Sequence, residues 1–120
     1  MNDDMKWIEK RNYPRLEWGF MVRFKLKDDE KAIWNSSAIK NIGEGGCLFA
    51  TDVKFQIGDV LEIKIQFPMY KEPLHLFGKV TRVSRGIAVR FLGMDNSAQT
   101  ELRAAINFFL KKQQRDYRIT

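Results

Sequence analysis

The sequence predicts a mostly β chain: six short strands forming a small barrel or sandwich, followed by one C-terminal helix. Three observations predict it. Apolar residues recur at every second position over most of the chain. Turns, several of them marked by glycine or proline, break that alternation five times, at spacings typical of small all-β domains. The period lengthens to that of a helix only after the cluster Asp95-Asn96-Ser97. At 120 residues the chain has room for one well-cored domain and not two. Hydrophobic residues at 44% and charged residues at 30% are the balance of an ordinary globule and exclude disorder for most of the length.

Residues Met1 to Arg15 are charge-rich and carry only scattered apolar groups (Met5, Trp7, Ile8, Tyr13), so they read as a basic arm, and 16–120 as the barrel with its helix. From Phe20, Val22, Phe24 and Leu26 alternate with Arg23, Lys25 and Lys27, the pattern of a half-buried strand, and Asp28-Asp29-Glu30 turns the chain. The spacing places a second strand at about Ala32 to Lys40, a glycine-dense turn at Asn41 to Gly46, and a short apolar strand at Cys47 to Thr51. After the Gly58-Asp59 turn, Leu61, Ile63, Ile65 and Phe67 alternate with Glu62, Lys64 and Gln66, the cleanest strand in the chain. Pro68 and Pro73 bracket a loop; a long strand from Leu74 to about Ser84 then turns at Arg85-Gly86 into Ile87, Val89 and Phe91. Leu102, Ala105, Ile106, Phe109 and Leu110 share one stripe of a helix over about 96–114, with Lys111, Lys112, Arg115 and Arg118 near its C-terminal end, where the dipole favours cations. That stripe must cover something apolar, and an open end or side of the β structure is the expected target.

One cysteine and one histidine exclude an internal disulfide and a Cys/His zinc site. Cys47 and His75 each sit in an alternating strand pattern, where they read as core filler and surface decoration and not as a nucleophile and its base. The carboxylates of Asp28, Asp29, Glu30, Asp59 and Glu62 fall on turns or outward strand faces. Phosphate-loop, dinucleotide and nucleophile-elbow motifs are missing from the sequence. No catalytic residue, metal or cofactor is therefore expected, and the chain reads as a binding protein. With no apolar leader or spanning run, a cytoplasmic location without membrane insertion is expected.

Lys and Arg number 21 against 15 Asp and Glu, a net +6 that favours anionic partners. Two features give that surplus a direction. Arg11 and Arg15 lie four apart in the arm, and guanidinium forks suit both phosphate oxygens and the O6/N7 edge of guanine. The turn Asn41-Ile42-Gly43-Glu44-Gly45-Gly46 lets backbone approach a ligand closely, with Asn41 offering donor and acceptor.

In this order the two features resemble the marks of the PilZ family of bacterial cyclic di-GMP receptors, R-x-x-x-R and then [D/N]-x-S-x-x-G. Arg11 and Arg15 match the first, and Asn41 and Gly46 the ends of the second. Similarity continues through Gly46-Cys47-Leu48-Phe49-Ala50-Thr51, Gly78-Lys79-Val80-Thr81-Arg82-Val83 and Gly86-Ile87-Ala88-Val89-Arg90-Phe91.

The resemblance implies a six-stranded antiparallel barrel whose outer surface takes up cyclic di-GMP, often as an intercalated dimer, under the arginine arm. Arg11 and Arg15 would clamp phosphates and guanine edges, and Asn41 with the Gly43 to Gly46 backbone would hold a guanine. Arg82, where the family often has tryptophan, would stack on a purine. Lys10 would add a phosphate contact and Arg90 an outward charge beside the site, although a solvated surface charge explains these two equally well. Gly43 stands where the family usually has serine; one missing hydrogen bond weakens binding by roughly five- to tenfold, about 1 kcal/mol.

The implied function is a receptor that relays second-messenger level to a protein effector in motility, pilus or exopolysaccharide machinery, through ordering of its arm. One alternative is a protein-interaction module whose ligand site has decayed at Gly43. Another is a basic barrel binding single-stranded nucleic acid through Arg23, Lys25 and Lys27, which the alternation explains more simply as a solvated strand face.

Overall fold

A computed structural model describes residues 20–119, with side chains as far as Lys111. The arm at 1–15, with Lys10, Arg11 and Arg15, lies outside the described residues. Six strands follow in the expected order: β1 Met21–Leu26, β2 Asn35–Ile42, β3 Gly46–Phe49, β4 Val60–Gln66, β5 Leu74–Val83 and β6 Ile87–Leu92, then the helix α1 Asn96–Ile119. Every pairing is antiparallel, and the ring closes in the order β1-β2-β3-β6-β5-β4. The choice between barrel and sandwich is thus settled for the barrel.

Alternation builds the interior. Val22 and Phe24, Ile39, Cys47 and Phe49, Leu61, Ile63 and Ile65, Leu76 and Val80, and Ile87 and Val89 all point inward and are buried. Phe24 and Phe49 meet across the lumen with ring centroids 4.5 Å apart. Burying side chains of this size contributes about 1.5–3 kcal/mol each.

The amphipathic stripe of α1 closes one end. Leu102, Ala105, Ile106 and Phe109 are buried, and Phe20 lies between Phe109 (centroids 4.7 Å) and Phe67 (5.1 Å) at that mouth. Asp95 caps the helix: its Oδ1 accepts the Ala98 N–H at 2.8 Å, satisfying one of the otherwise unpaired donors of the first turn. The helix runs past the expected 114 to Ile119. Among the described residues no helix is long and apolar enough to cross a membrane.

Strand β2 departs from expectation. It begins three residues late, because Ala32 to Trp34 are held outside the sheet by turn bonds from Ala32 N–H to the Asp29 carbonyl and from Asn35 Nδ2 to the Ile33 carbonyl. It also runs two residues further: Asn41 and Ile42 belong to the strand, paired with Leu48 and Cys47. The glycine-dense turn shrinks to Gly43-Glu44-Gly45, closed by a 2.9 Å bond from Gly43 N–H to the Gly46 carbonyl.

Candidate ligand-binding site

Strict alternation would send Asn41 into the barrel, since Ile39 is buried two residues before it. The register slips between Ile39 and Asn41, leaving Lys40 as the extra residue. Asn41 therefore faces outward while Ile42, three residues after Ile39, returns to the core. The same device recurs on β5. Val80 is buried, the register slips at Thr81, and Arg82 pairs with Ala88 on the outer face. The extra residue is held by its own side chain, Thr81 Oγ1 donating to the Ala88 carbonyl at 3.3 Å.

These two slips align an outward row across four strands: Asn41 on β2, Leu48 on β3, Ala88 on β6 and Arg82 on β5. At ~4.8 Å per strand the row is about 14 Å wide, polar at both ends and apolar in the middle. Beside it runs a second row, Gly46, Arg90 and Lys79. Gly46 has to be glycine: a Cβ there would collide with the Val89 carbonyl oxygen. With Ala88, it keeps the floor between the cations low.

The turn that carries Gly43 rises at one end of this wall. Phe91 N–H donates to the Gly45 carbonyl at 2.8 Å, tying the turn to β6. Glu44 Oε1 accepts from Arg103 Nε of α1 at 2.8 Å, and the two elements enclose a depression of about 240 Å³ lined by Glu44, Gly45, Gln99, Leu102 and Arg103. At Gly43 a Cβ would meet nothing within 4 Å, and its φ is not positive, so the position admits any small side chain.

Of the residues singled out in the sequence, Asn41, Gly46, Arg82 and Arg90 thus share one outer wall, with Gly43 at its rim. Lys79, which no motif marked, completes the Gly46–Arg90 row. The spacing of Ile39 and Ile42, three apart in an otherwise alternating strand, was the available signal for the slip. Cys47 lies behind this wall in the core, where burial pushes its thiol up to about 12, and His75 faces outward on β5; the two do not meet.

The family model described as PilZ domain matches residues 9–108. Among solved structures, the chain is similar to the PilZ domain with c-di-GMP of YcgR from Escherichia coli, at 17% identity and TM-score 0.65, over 90% of this chain and 92% of that one. It is also similar to the Bacillus subtilis inhibitor of motility MotI/DgrA (18% identity, TM-score 0.63, 88% of this chain and 52% of that one). A third similar structure is apo MrkH of K. pneumonia (15% identity, TM-score 0.69, 87% and 52%). The chain spans about half the length of those last two. Comparison with curated proteins gives no match. At such identities the solved structures speak for the fold alone.

Proposed function

The chain belongs to the PilZ domain family, and on that premise we propose that it is a receptor for cyclic di-GMP that passes second-messenger level to a protein effector without catalysis. The observation that carries this reading is the outer wall of β2, β3, β6 and β5. Two register slips turn Asn41 and Arg82 to the same side as Gly46 and Arg90. The ligand has two guanines and two phosphates, and the wall offers an amide for a guanine edge, a low apolar floor for a ring to lie on, and guanidinium groups for stacking and phosphate.

The arm supplies the rest. Arg15 precedes Phe20 by five residues, a reach of at most ~17 Å. The Phe20 carbonyl accepts the Ile39 N–H at 2.7 Å, two residues from Asn41. Arg11 and Arg15 therefore lie within chain reach of the wall and would clamp phosphates and guanine edges, with Lys10 as a further phosphate contact. Residues before Leu16 have too little apolar content to pack alone, so bound phosphate would order them and change the surface offered to an effector of motility, pilus or exopolysaccharide machinery.

Isothermal titration with cyclic di-GMP tests the reading. Heat is expected in the micromolar range or below, and an Arg15→Ala variant should lose at least about tenfold in affinity, since charge-assisted bonds contribute roughly 1.5–3 kcal/mol each. An absence of heat at high micromolar ligand would overturn it. Gly43 favours one second reading, an interaction module that no longer binds ligand; binding that appears only in Gly43→Ser would establish that reading instead.

A further inference from the structure

The wall on the opposite side of the ring, formed by β1 and β4 with the neighbouring part of β5, carries cations that the ligand-binding wall cannot use. Two adjacent outward rows cross it. One is Arg23, Lys64 and His75; the other is Lys25, Glu62 and Phe77. Glu62 is the only carboxylate among the outward residues of β1, β4 and β5. It is already engaged, by His75 Nε2 at 2.7 Å and Lys25 Nζ at 3.7 Å.

Three lysines of this wall are held in place by rings. Lys25 and Lys64 both lie over Trp34, at 5.4 and 4.8 Å from the ring centroid, and Lys27 lies 5.6 Å from Phe77. An ordinary surface lysine loses rotamer freedom when it meets a partner, and that loss offsets much of the ion-pair energy. Here the ammonium groups are positioned beforehand. Exposed Met21 and Ile33 lie toward opposite ends of β1 and supply apolar contact at the edges.

We propose that this β1–β4 wall is a docking surface for a protein partner that presents a carboxylate-rich face. The inference does not depend on cyclic di-GMP binding. Charge complementarity names the partner's chemistry and excludes a symmetric pairing of this wall with the same wall of a second copy, which is equally basic. Single-stranded nucleic acid fits less well, because a base needs an open aromatic face and the Trp34 face is occupied by lysine ammonium groups. A bilayer fits less well too, because Met21 and Ile33 are separated by the cationic rows and form no continuous apolar face.

Fluorescence anisotropy with a labelled glutamate-rich peptide at physiological ionic strength tests the proposal. Arg23→Ser combined with Lys64→Ser should weaken binding by about tenfold, whereas Lys54→Ser combined with Lys111→Ser, which removes the same charge elsewhere, should change it less than about twofold. Saturating cyclic di-GMP should not displace the peptide. Equal losses in the two double variants would mean that the peptide reads only net charge and would overturn the site. No binding of the peptide, or tighter binding of a single-stranded oligonucleotide or of phosphatidylserine vesicles that depends on Arg23 and Lys64, would overturn the partner class. Thermal unfolding of both variants separates a lost surface from a lost fold.

Discussion

Along the seam between β1 and β4, residue pairs run from Met21–Gln66 to Leu26–Leu61 without interruption, whereas both seams that border the β3–β6 wall slip by one residue, at Lys40 and at Thr81. The two walls share a core and an alternating pattern. On the regular wall, alternation alone decides which side chain faces out, and the result is a field of cations resting on rings. On the slipped wall, two residues that alternation would bury are turned outward, and the row Asn41, Leu48, Ala88, Arg82 exists because of it. Regular pairing suffices to make a barrel with a charged exterior; bringing chosen groups from separate strands into one row requires the register to break.

The sharpest way to break that comparison is to remove a slip. Inserting one residue between Ala88 and Val89 gives Thr81 a partner and abolishes the slip, so that alternation turns Arg82 toward the core, and an unpaired buried charge costs roughly 3–5 kcal/mol. We expect urea unfolding to show a loss of that order. Wild-type stability in the insertion variant would mean that the strands absorb the extra residue elsewhere, and the irregular wall would then owe nothing to the slip at Thr81. Gly46→Ala should cost at least about 1–3 kcal/mol, because its methyl group would have to displace the β6 backbone at Val89 and Arg90.

The same contrast accounts for what was readable beforehand. Strand order and the inward set of β4 follow from period two, and the α1 stripe from period three to four. Closure, which the family resemblance implies and the structure bears out, does not follow from periodicity, because it depends on β1 meeting β4 some 40 residues away. The start of β2 was misplaced because Ile33 and Trp34 carry strand-like side chains while local turn bonds hold them outside the sheet. Asn41 and Gly46 are singled out by the family resemblance, but their alignment with Arg82 and Arg90 is a matter of cross-strand register, which no single strand encodes. Lys79 escaped for that reason, and the cation clusters on Trp34 and Phe77 likewise.

A smaller effect sharpens the functional half of the comparison. Gly43 lies at the rim of the slipped wall with open space around it, so Gly43→Ser should leave the unfolding midpoint unchanged. If a serine hydroxyl there reaches bound cyclic di-GMP, titration should show affinity rising by roughly five- to tenfold, the worth of one net hydrogen bond of about 1 kcal/mol. Unchanged affinity in the serine variant would show that the turn's backbone already makes every contact available at that position.

The smallest expected effect concerns the only ion pair among the described residues that joins the slipped wall to α1. Glu44 and Arg103 are 2.8 Å apart, but their side chains are 55% and 59% exposed, so water and salt screen them. A double-mutant cycle with Glu44→Gln and Arg103→Ala should give a coupling of no more than about 0.5 kcal/mol at low ionic strength, vanishing at high salt. Repeating the cycle with saturating cyclic di-GMP asks a separate question. A ligand that orders the Gly43 to Gly46 turn fixes the Glu44 backbone, so less freedom remains to be lost when the pair forms, and the coupling should grow. Growth on ligand addition would mean that ligand state on the wall reaches the helix through this contact; an unchanged coupling would confine the response to the arm.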